Sequence, residues 1–458
     1  MSDEIGLIGL GRMGRNLAAN LIERGIVVRA WDKSTDALAK AQAINPDLLL
    51  YGDIRELARA LTPPRCVMLV VPAGNAVEKC LAALADVLEM GDVIIDSGNS
   101  HYGDTERRQN DLSDKGLHFL GLGVSGGLDG ARHGPSLMAG GPEAAWQRAG
   151  SILETISARI GDEPCAGYLG GGGAGHFVKV VHNGIEYAIM QILADVFDLL
   201  SQGCGMAGED IAETFDALNS GATASFLVEA SMRVVTIPDE SGTGLLIDTI
   251  DDRAEQKGTG RWAVETAFDF GIAVPTIAAA VQFRTLSEDR GRQKAKDGPA
   301  GGGASRSLVP DDVTPLLMSA VACAMASAFQ QGFALFDAVA DHFGSALDKR
   351  RIASLWRSGC ILRGGMVDLI EESQDGEGLR PLVADGQEAL RSLSLAALSI
   401  GLPAPGLSTT LGYVDALRRS PLSTRFIQMQ RDYFGGHGFH RIGQDGLVHG
   451  PWHEEDET

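Results

Sequence analysis

Ile5-Gly6-Leu7-Ile8-Gly9-Leu10-Gly11-Arg12-Met13-Gly14 decides the fold of the first half of this chain. An apolar run of β-forming residues enters three glycines at G-x-G-x-x-G spacing, and Leu17, Ala18, Leu21 and Ile22 follow at helical spacing. Strand, glycine turn and helix in that order form the setting in which the motif signals a dinucleotide-binding unit. Gly9 permits the turn, Gly11 lets backbone approach a pyrophosphate, and Gly14 lets the helix pack on its strand. The helix N-terminus turns its amides toward the phosphates, so Gly9, Gly11, Arg12, Met13 and Gly14 are candidate cofactor contacts.

Working outward, a second strand from Ile26 to Trp31 closes on Asp32. This is about 20 residues past the glycines, where a carboxylate accepts hydrogen bonds from an adenosine ribose and favours NAD. Lys33 and Ser34 follow, and an ammonium beside a hydroxyl suits the 2′-phosphate of NADP instead. NAD is the preferred reading, because a carboxylate repels a phosphate at short range. A simple strand-end turn is the other role open to Asp32.

Strand-like runs at Val67 to Val71, Val93 to Asp96 and Leu117 to Leu120 alternate with helical stretches such as Ala76 to Leu88. That alternation implies a doubly wound, Rossmann-like α/β domain with a parallel sheet. Ligands meet such sheets at the carboxyl ends of the strands. There stand Val71-Pro72-Ala73-Gly74, Ser97-Gly98-Asn99-Ser100 and the glycine-rich Gly121 to Gly127. Val71, Pro72, Ala73 and Asn99 are therefore cofactor candidates. Asn99, Ser125 and the exposed amides of Gly126 and Gly127 could hold a carboxylate or polyol.

Beyond Gly170 to Gly175, readable as a flexible linker or a helix-entry turn, Lys179, His182, Asn183, Glu186 and Tyr187 fall at i, i+3, i+4, i+7 and i+8. On a helix they make one polar stripe, while Val178, Val180, Val181, Ile185, Ala188 and Ile189 cover the rest. A mixed base, acid and amide set on an otherwise apolar helix differs from a solvated face of repeated Glu and Lys. Burial shifts such amines and carboxyls toward neutrality, as general acid–base chemistry requires.

Lys and Arg total 39 against 60 Asp and Glu, a net charge of −21. This opposes sequence-independent binding of nucleic acid or an anionic membrane, so an anionic ligand needs a local cluster of cations. Glycine, at 59 residues, is nearly twice its usual share of about 7%. The acidic start, Met1-Ser2-Asp3-Glu4, resembles neither a signal nor a transit peptide. Leu316 to Phe329, the longest apolar stretch, falls short of the roughly 20 residues of a membrane span and reads as a buried helix. Six cysteines without metal spacing fit a reducing cytoplasm. From Gly175 onward the pattern is helical and rich in alanine.

Several segments together resemble one family. Gly123 to Gly127, Gly134-Pro135-Ser136-Leu137-Met138, Gly175 to Tyr187, Gln256 to Trp262, Trp356 to Arg363 and Gln430 to His437 are similar, in order, to signature segments of the long, decarboxylating 6-phosphogluconate dehydrogenases. The resemblance runs from the first strand nearly to the C-terminus. It implies a dinucleotide-binding domain (1–174), a large all-α substrate and dimerisation domain (175–430), and a tail (431–458) that reaches the partner subunit's site in a homodimer.

The same resemblance implies roles for single residues. Lys179 is the base and Glu186 the acid of a metal-free oxidative decarboxylation. Asn99, Ser125, Gly126, Gly127, His182 and Asn183 hold the carboxylate and hydroxyls of an anionic sugar-acid phosphate. Tyr187, Lys257, Arg284 and Arg431 hold its phosphate, and His437 completes the neighbouring pocket. Where the family commonly has Asn-Arg-Thr this chain has Asp32-Lys33-Ser34, and Pro72 replaces a common Lys. Both departures favour NAD. Leu128 replaces a usual Glu beside the substrate loop, which leaves a sulfonated analogue of the sugar acid open. The other readings are a β-hydroxy acid dehydrogenase without decarboxylation and a silent dinucleotide sensor.

Overall fold

The structure, a computed structural model, describes residues 4–256, 258–289, 308–344, 346–373 and 377–453. Its contacts divide the chain into two compact units, Met1–Thr410 and Leu411–Thr458.

The first unit is built on β1 (Glu4–Ile8), β2 (Val27–Trp31), β3 (Leu49–Leu50), β4 (Cys66–Leu69), β5 (Val93–Asp96), β6 (His118–Ser125) and β7 (Ser136–Gly140). A small ribbon of β8 (Arg159–Ile160) and β9 (Glu163–Pro164) precedes the last strand, β10 (Ala166–Tyr168). The main sheet has the order β10-β7-β6-β5-β4-β1-β2-β3, so the chain reverses direction of travel at β1 and β4. Side chains of successive residues point to opposite faces. Ile5, Leu7, Met68, Ile95 and Leu120 fill the core on one side, and Ile8, Val67, Leu69, Ile94 and Phe119 fill the other. Burial on both faces explains why these strands read as continuous apolar runs.

One expectation needs correction: the sheet is mixed. β7 pairs antiparallel with β6, with Ser125 opposite Ser136, and β10 runs parallel to β7. Only Gly126 to Pro135 joins β6 to β7, and a parallel crossover takes a dozen or more residues.

Helices α1 (Arg12–Glu23), α2 (Thr35–Ile44), α3 (Ile54–Ala60), α4 (Asn75–Leu84), α5 (Tyr102–Ser113), α6 (Gly127–His133) and α7 (Glu143–Ile156) connect or flank the strands. α8 (Ala174–Asp198) then lies along β6 and β7. The glycines before it form a helix-entry turn. A Cβ on Gly175 would stand 2.5 Å from Met138 O and 2.6 Å from Gly121 O, so only glycine lets α8 come this close to the sheet. The expected boundary at 174/175 is consequently no break in packing.

The rest of the first unit is helical: α9 (Gly208–Leu218), α10 (Phe226–Val234), α11 (Thr259–Asp269), α12 (Pro275–Ser287), α13 (Pro310–Ala338), α14 (Ala340–Phe343), α15 (Lys349–Trp356), α16 (Gly365–Glu372) and α17 (Arg380–Ser399). α13 contains the apolar run Leu316 to Phe329. It is long and apolar enough to cross a membrane, yet 67% of its most apolar window is buried, against α8 and α17. α18 (Pro405–Arg418) begins at Asp195 of α8, whose carboxylate accepts the Leu407 N–H at 3.0 Å and Gln191 Nε2 at 2.9 Å.

The second unit contains α19 (Thr424–Gly435) and the segment that follows it. Its fastening is Asp432, fully buried, which accepts the N–H of Gly438 at 2.7 Å and of Gly450 at 2.8 Å. His449 Nδ1 lies 2.7 Å from the same carboxylate. Burial alone would raise this carboxyl, but the bonds from Gly450, His449 and Gly438 bring it down to about 2.

Candidate active site

The glycine turn opens onto two cavities that share Gly11, Val70, Val71 and Pro72. The larger, about 850 Å³, is lined by Gly11 to Gly14, Pro72 to Gly74, Ser97 to Asn99, Asp104, Val124 and Trp262 among others. The smaller, about 370 Å³, holds Asp32, Lys33, Trp31 and Lys79 on its walls. Every expected cofactor contact except Ser34 lies on one or both.

The turn's glycines are forced by close approach. A Cβ on Gly14 would sit 1.9 Å from Gly9 O, and Gly9 itself has φ +102°. Gly11 caps α1 with no side-chain capping hydrogen bond, so the first amides of the helix are available to an anion. A dinucleotide thus fits the groups present: the first amides of α1 would hold its pyrophosphate, and the residues lining the two cavities would hold the rest.

Asp32 braces this turn. Its Oδ2 accepts Leu10 N–H at 2.7 Å and its Oδ1 accepts Ser34 N–H at 2.8 Å. The Ser34 hydroxyl oxygen accepts Ala37 N–H at 3.2 Å as the N-cap of α2. The strand-end turn role and a ribose-facing role for Asp32 are therefore compatible, since each carboxylate oxygen has more than one lone pair.

Asn99 owes its place to Asp96, which the sequence reading passed over. The buried Asp96 carboxylate accepts Gly98 N–H at 3.0 Å, the Ser100 hydroxyl at 2.6 Å and Arg108 Nη1 at 3.2 Å. A carboxylate at a strand end, followed by Ser-Gly-Asn-Ser, was the available signal.

α8 carries the polar stripe into the interior. Lys179, His182, Asn183 and Tyr187 are all buried, and the Glu186 side chain is 23% exposed. Lys179 Nζ is 3.2 Å from His182 Nδ1. That nitrogen also faces Asn183 Oδ1 at 3.3 Å and Glu186 Oε2 at 3.7 Å. Across from α8, Ser125 Oγ lies 2.9 Å from His182 Nε2. The structure therefore assembles Lys179, His182, Asn183, Glu186 and the Ser125 loop into one cluster.

Burial sets the proton affinities of this cluster. It pushes the Lys179 ammonium down from its ordinary value, against the upward pull of Glu186 and Cys360. It pushes the Glu186 carboxyl up, against Lys179 and Arg284. His182 is driven well below its usual range, first by burial and then by the Lys179 charge. The result is an amine and a carboxyl both shifted toward their neutral forms beside a neutral imidazole within one stripe.

Arg284, on α12, meets the far end of the stripe. Its guanidinium stands 3.6 Å above the centre of the Tyr187 ring and acts electrostatically on Glu186. Lys257 lies outside the described residues. Arg431 and His437 belong to the second unit, where Arg431 Nη1 donates to Gln428 Oε1 at 3.1 Å and the His437 ring is 6.5 Å from that of Phe434.

Two family models match the chain: the NAD binding domain of 6-phosphogluconate dehydrogenase over residues 4–170, and that enzyme's C-terminal domain over residues 175–452. The chain belongs to the 6-phosphogluconate dehydrogenase family. Its sequence is 37% identical to the decarboxylating 6-phosphogluconate dehydrogenase of Synechococcus elongatus, over 98% of this chain and 99% of that one. It is 35% identical to the NADP(+)-dependent, decarboxylating enzyme of Bacillus subtilis, with the same coverage. The solved Plasmodium falciparum 6-phosphogluconate dehydrogenase, described apo, with NADP+ and with 6-phosphogluconate, superposes with a TM-score of 0.91 at 31% identity. That match covers 98% of this chain and 100% of the other.

Set within this family, three residues of the cavity and the stripe escaped the residue-by-residue reading. Lys79 lines the smaller cavity together with Asp32. Trp356 sets its ring edge-on to His182 at 5.2 Å, and Cys360 Sγ approaches His182 Nε2 to 3.1 Å. The last two lie in the Trp356 to Arg363 segment, whose family likeness was the only sequence signal for them.

Proposed function

We propose that this protein oxidatively decarboxylates 6-phosphogluconate to ribulose 5-phosphate, CO2 and a reduced nicotinamide dinucleotide. One observation carries the reading: Lys179, lowered by burial, and Glu186, raised by burial, share one stripe of α8 with a neutral His182 between them.

The neutral Lys179 amine takes the proton of the substrate's β-hydroxyl as the carbon loses its hydride. Nicotinamide, when bound, supplies the hydride acceptor. The resulting β-keto acid sheds CO2 because the electrons of the breaking C–C bond move into the carbonyl, and the Lys179 ammonium stabilises the oxygen as it becomes negative. Glu186 then gives its proton to the carbon that lost CO2, as the enediolate oxygen reforms the carbonyl. His182 and Asn183, with Asn99 and the Ser125, Gly126 and Gly127 loop, hold the carboxylate and hydroxyls. Arg284 and Tyr187 receive the phosphate together with Lys257, since a guanidinium fork and an ammonium match a phosphate dianion. Arg431 and His437 complete the neighbouring subunit's pocket in a homodimer.

NAD is the favoured cofactor. Asp32 faces the smaller cavity, Pro72 offers it no cation, and the Ser34 oxygen is engaged as a helix cap. The B. subtilis relative is described as NADP(+)-dependent, so this preference is one of this chain's departures from it. The test is steady-state turnover of 6-phosphogluconate with NAD and with NADP, following reduced cofactor and CO2 together, with a 6-sulfonated gluconate in parallel. Reduction without CO2 would leave a dehydrogenase that does not decarboxylate. No reduction with either acid would favour the sensor.

A further inference from the structure

We propose that Arg108 is a positioning residue whose guanidinium couples the Val71 to Gly74 loop to the Ser97 to Ser100 loop, and so fixes Asn99 in the wall of the larger cavity. The proposal rests on the function above for what Asn99 holds, and it adds a residue that lines neither cavity.

The two loops leave the sheet side by side. β4 and β5 pair in parallel with Leu69 opposite Asp96, and the chain then passes from each strand into its loop. Leu69 O accepts both the Ser97 N–H, at 3.0 Å, and the Ser97 hydroxyl, at 2.6 Å. A Cβ on Gly98 would stand 2.9 Å from Val71 O, so the loops are in close contact. Both contribute to the lining of the larger cavity.

Arg108, on α5, is 1% exposed, and Asp96 is fully buried. One edge of the guanidinium fork serves the Asn99 loop: Nη1 donates to Asp96 Oδ2 at 3.2 Å and to Ser100 Oγ at 3.4 Å. The same carboxylate accepts the Gly98 N–H and the Ser100 hydroxyl. Asn99 thus sits between two residues tied to one buried carboxylate. The other edge serves the first loop: Nε donates to Glu78 Oε1 at 3.1 Å, and Nη2 lies 3.1 Å from that oxygen. Glu78 belongs to α4, whose N-cap is Gly74, and the Glu78 N–H donates to Gly74 O at 3.3 Å. A planar fork with donors on two edges joins both carboxylates, whereas a lysine ammonium is a point charge. Arg107, from the surface, also donates to Glu78 Oε1, at 2.6 Å.

Two variants separate coupling from simple neutralisation of Asp96. Arg108→Lys keeps a charge beside Asp96 and loses the fork, while Glu78→Ala, at a partly exposed side chain, cuts the link to the first loop and leaves Asp96 paired. Glu78→Ala should melt within a few degrees of wild type and raise KM for 6-phosphogluconate as well as for NAD, each about fivefold. A rise confined to NAD would show that the loops act separately, and would overturn the proposal. Residues of one network are non-additive, so if Arg108→Lys lowers kcat/KM for 6-phosphogluconate about thirtyfold, the double variant should lose about thirtyfold also, rather than about 150-fold. Losses that multiply, or wild-type kinetics for Arg108→Lys, would overturn it too. Arg107→Ala is the control for surface charge; a loss equal to that of Glu78→Ala would count against Arg108.

A second measurement needs neither turnover nor ligand. Hydrogen exchange at the Gly98 amide, held by Asp96, should speed at least about fivefold in Glu78→Ala, with exchange in β6 unchanged. Unaltered exchange at Gly98 would overturn the proposal, even where Arg108→Lys does not fold. If wild type fails to turn over 6-phosphogluconate while Gly98 still responds to Glu78→Ala, the substrate assignment falls and the coupling stands.

Discussion

Lys179 Nζ stands 3.2 Å from His182 Nδ1, one turn apart on α8, and both side chains are buried. An ammonium taken out of water into a buried site is disfavoured relative to the neutral amine. Burial lowers the Lys179 ammonium from its ordinary value, against the upward pull of Glu186 and Cys360, and that direction sets the outcomes expected of the variants below.

Lys179→Met removes the base without adding charge. Turnover with 6-phosphogluconate should fall at least about 10³-fold, within the usual range for a general base. Cofactor binding, followed by fluorescence quenching, should stay near normal. Retention of a tenth or more of wild-type kcat would dismiss Lys179 from that role.

Activity should also fall on the acid side as Lys179 takes up a proton. The folded pKa lies below the ordinary lysine value, so the amine is available above the folded value and lost as pH drops through it. A kcat/KM profile flat down to the onset of acid unfolding would contradict the assignment.

Asp32→Asn keeps the brace on Leu10 and removes the charge. A like charge at about 4 Å in water is worth roughly 1 kcal/mol, so the NADP-to-NAD ratio of kcat/KM should rise about five- to tenfold. Lys79→Ala, at the lining of the same cavity, should lower that ratio. Ratios unmoved by both changes would mean the smaller cavity does not read the 2′ position.

Asp195 supplies a stability test. Burial, outweighing the bonds from Gln191, Leu407 and Gly406, lifts its carboxyl to about 7. A folded value above the unfolded one means that folding favours the protonated acid. Its contribution to stability thus declines from about pH 4 to about pH 7 and stays low above that. Asp195→Asn should gain in melting temperature relative to wild type by a few degrees between pH 5 and pH 8. A difference constant across that range would show that Asp195 does not titrate there.

Asp432→Asn should loosen the second unit. Hydrogen exchange of the amides of Gly438 and Gly450, both bonded to this carboxylate, should speed at least about tenfold, with exchange in β5 unchanged. Unaltered protection at the two glycines would remove Asp432 as the fastening.

Much of the site could be read before any coordinates. The strand at Val93 to Asp96 coincides with the observed one, and the spacing of Lys179, His182, Asn183, Glu186 and Tyr187 placed them on one face because helical periodicity is a local property of the chain. β7 was not legible as a strand: its five residues end in glycine, and its antiparallel direction depends on which neighbour it reaches. Lys79 and Cys360 were missed for a shared reason. Each matters through a partner distant in sequence, at a shared cavity or on another helix.

By itself, then, the sequence determined the elements, the glycine turn and the chemical kinds present on the catalytic helix, all set by short-range sterics and periodicity. Only the tertiary structure decided what those groups are. Burial against β6, β7 and the Trp356 to Arg363 segment takes Lys179 and His182 out of water and lowers both, while burial raises the Glu186 carboxyl, and it is this desolvation that moves the amine and the carboxyl toward their neutral forms.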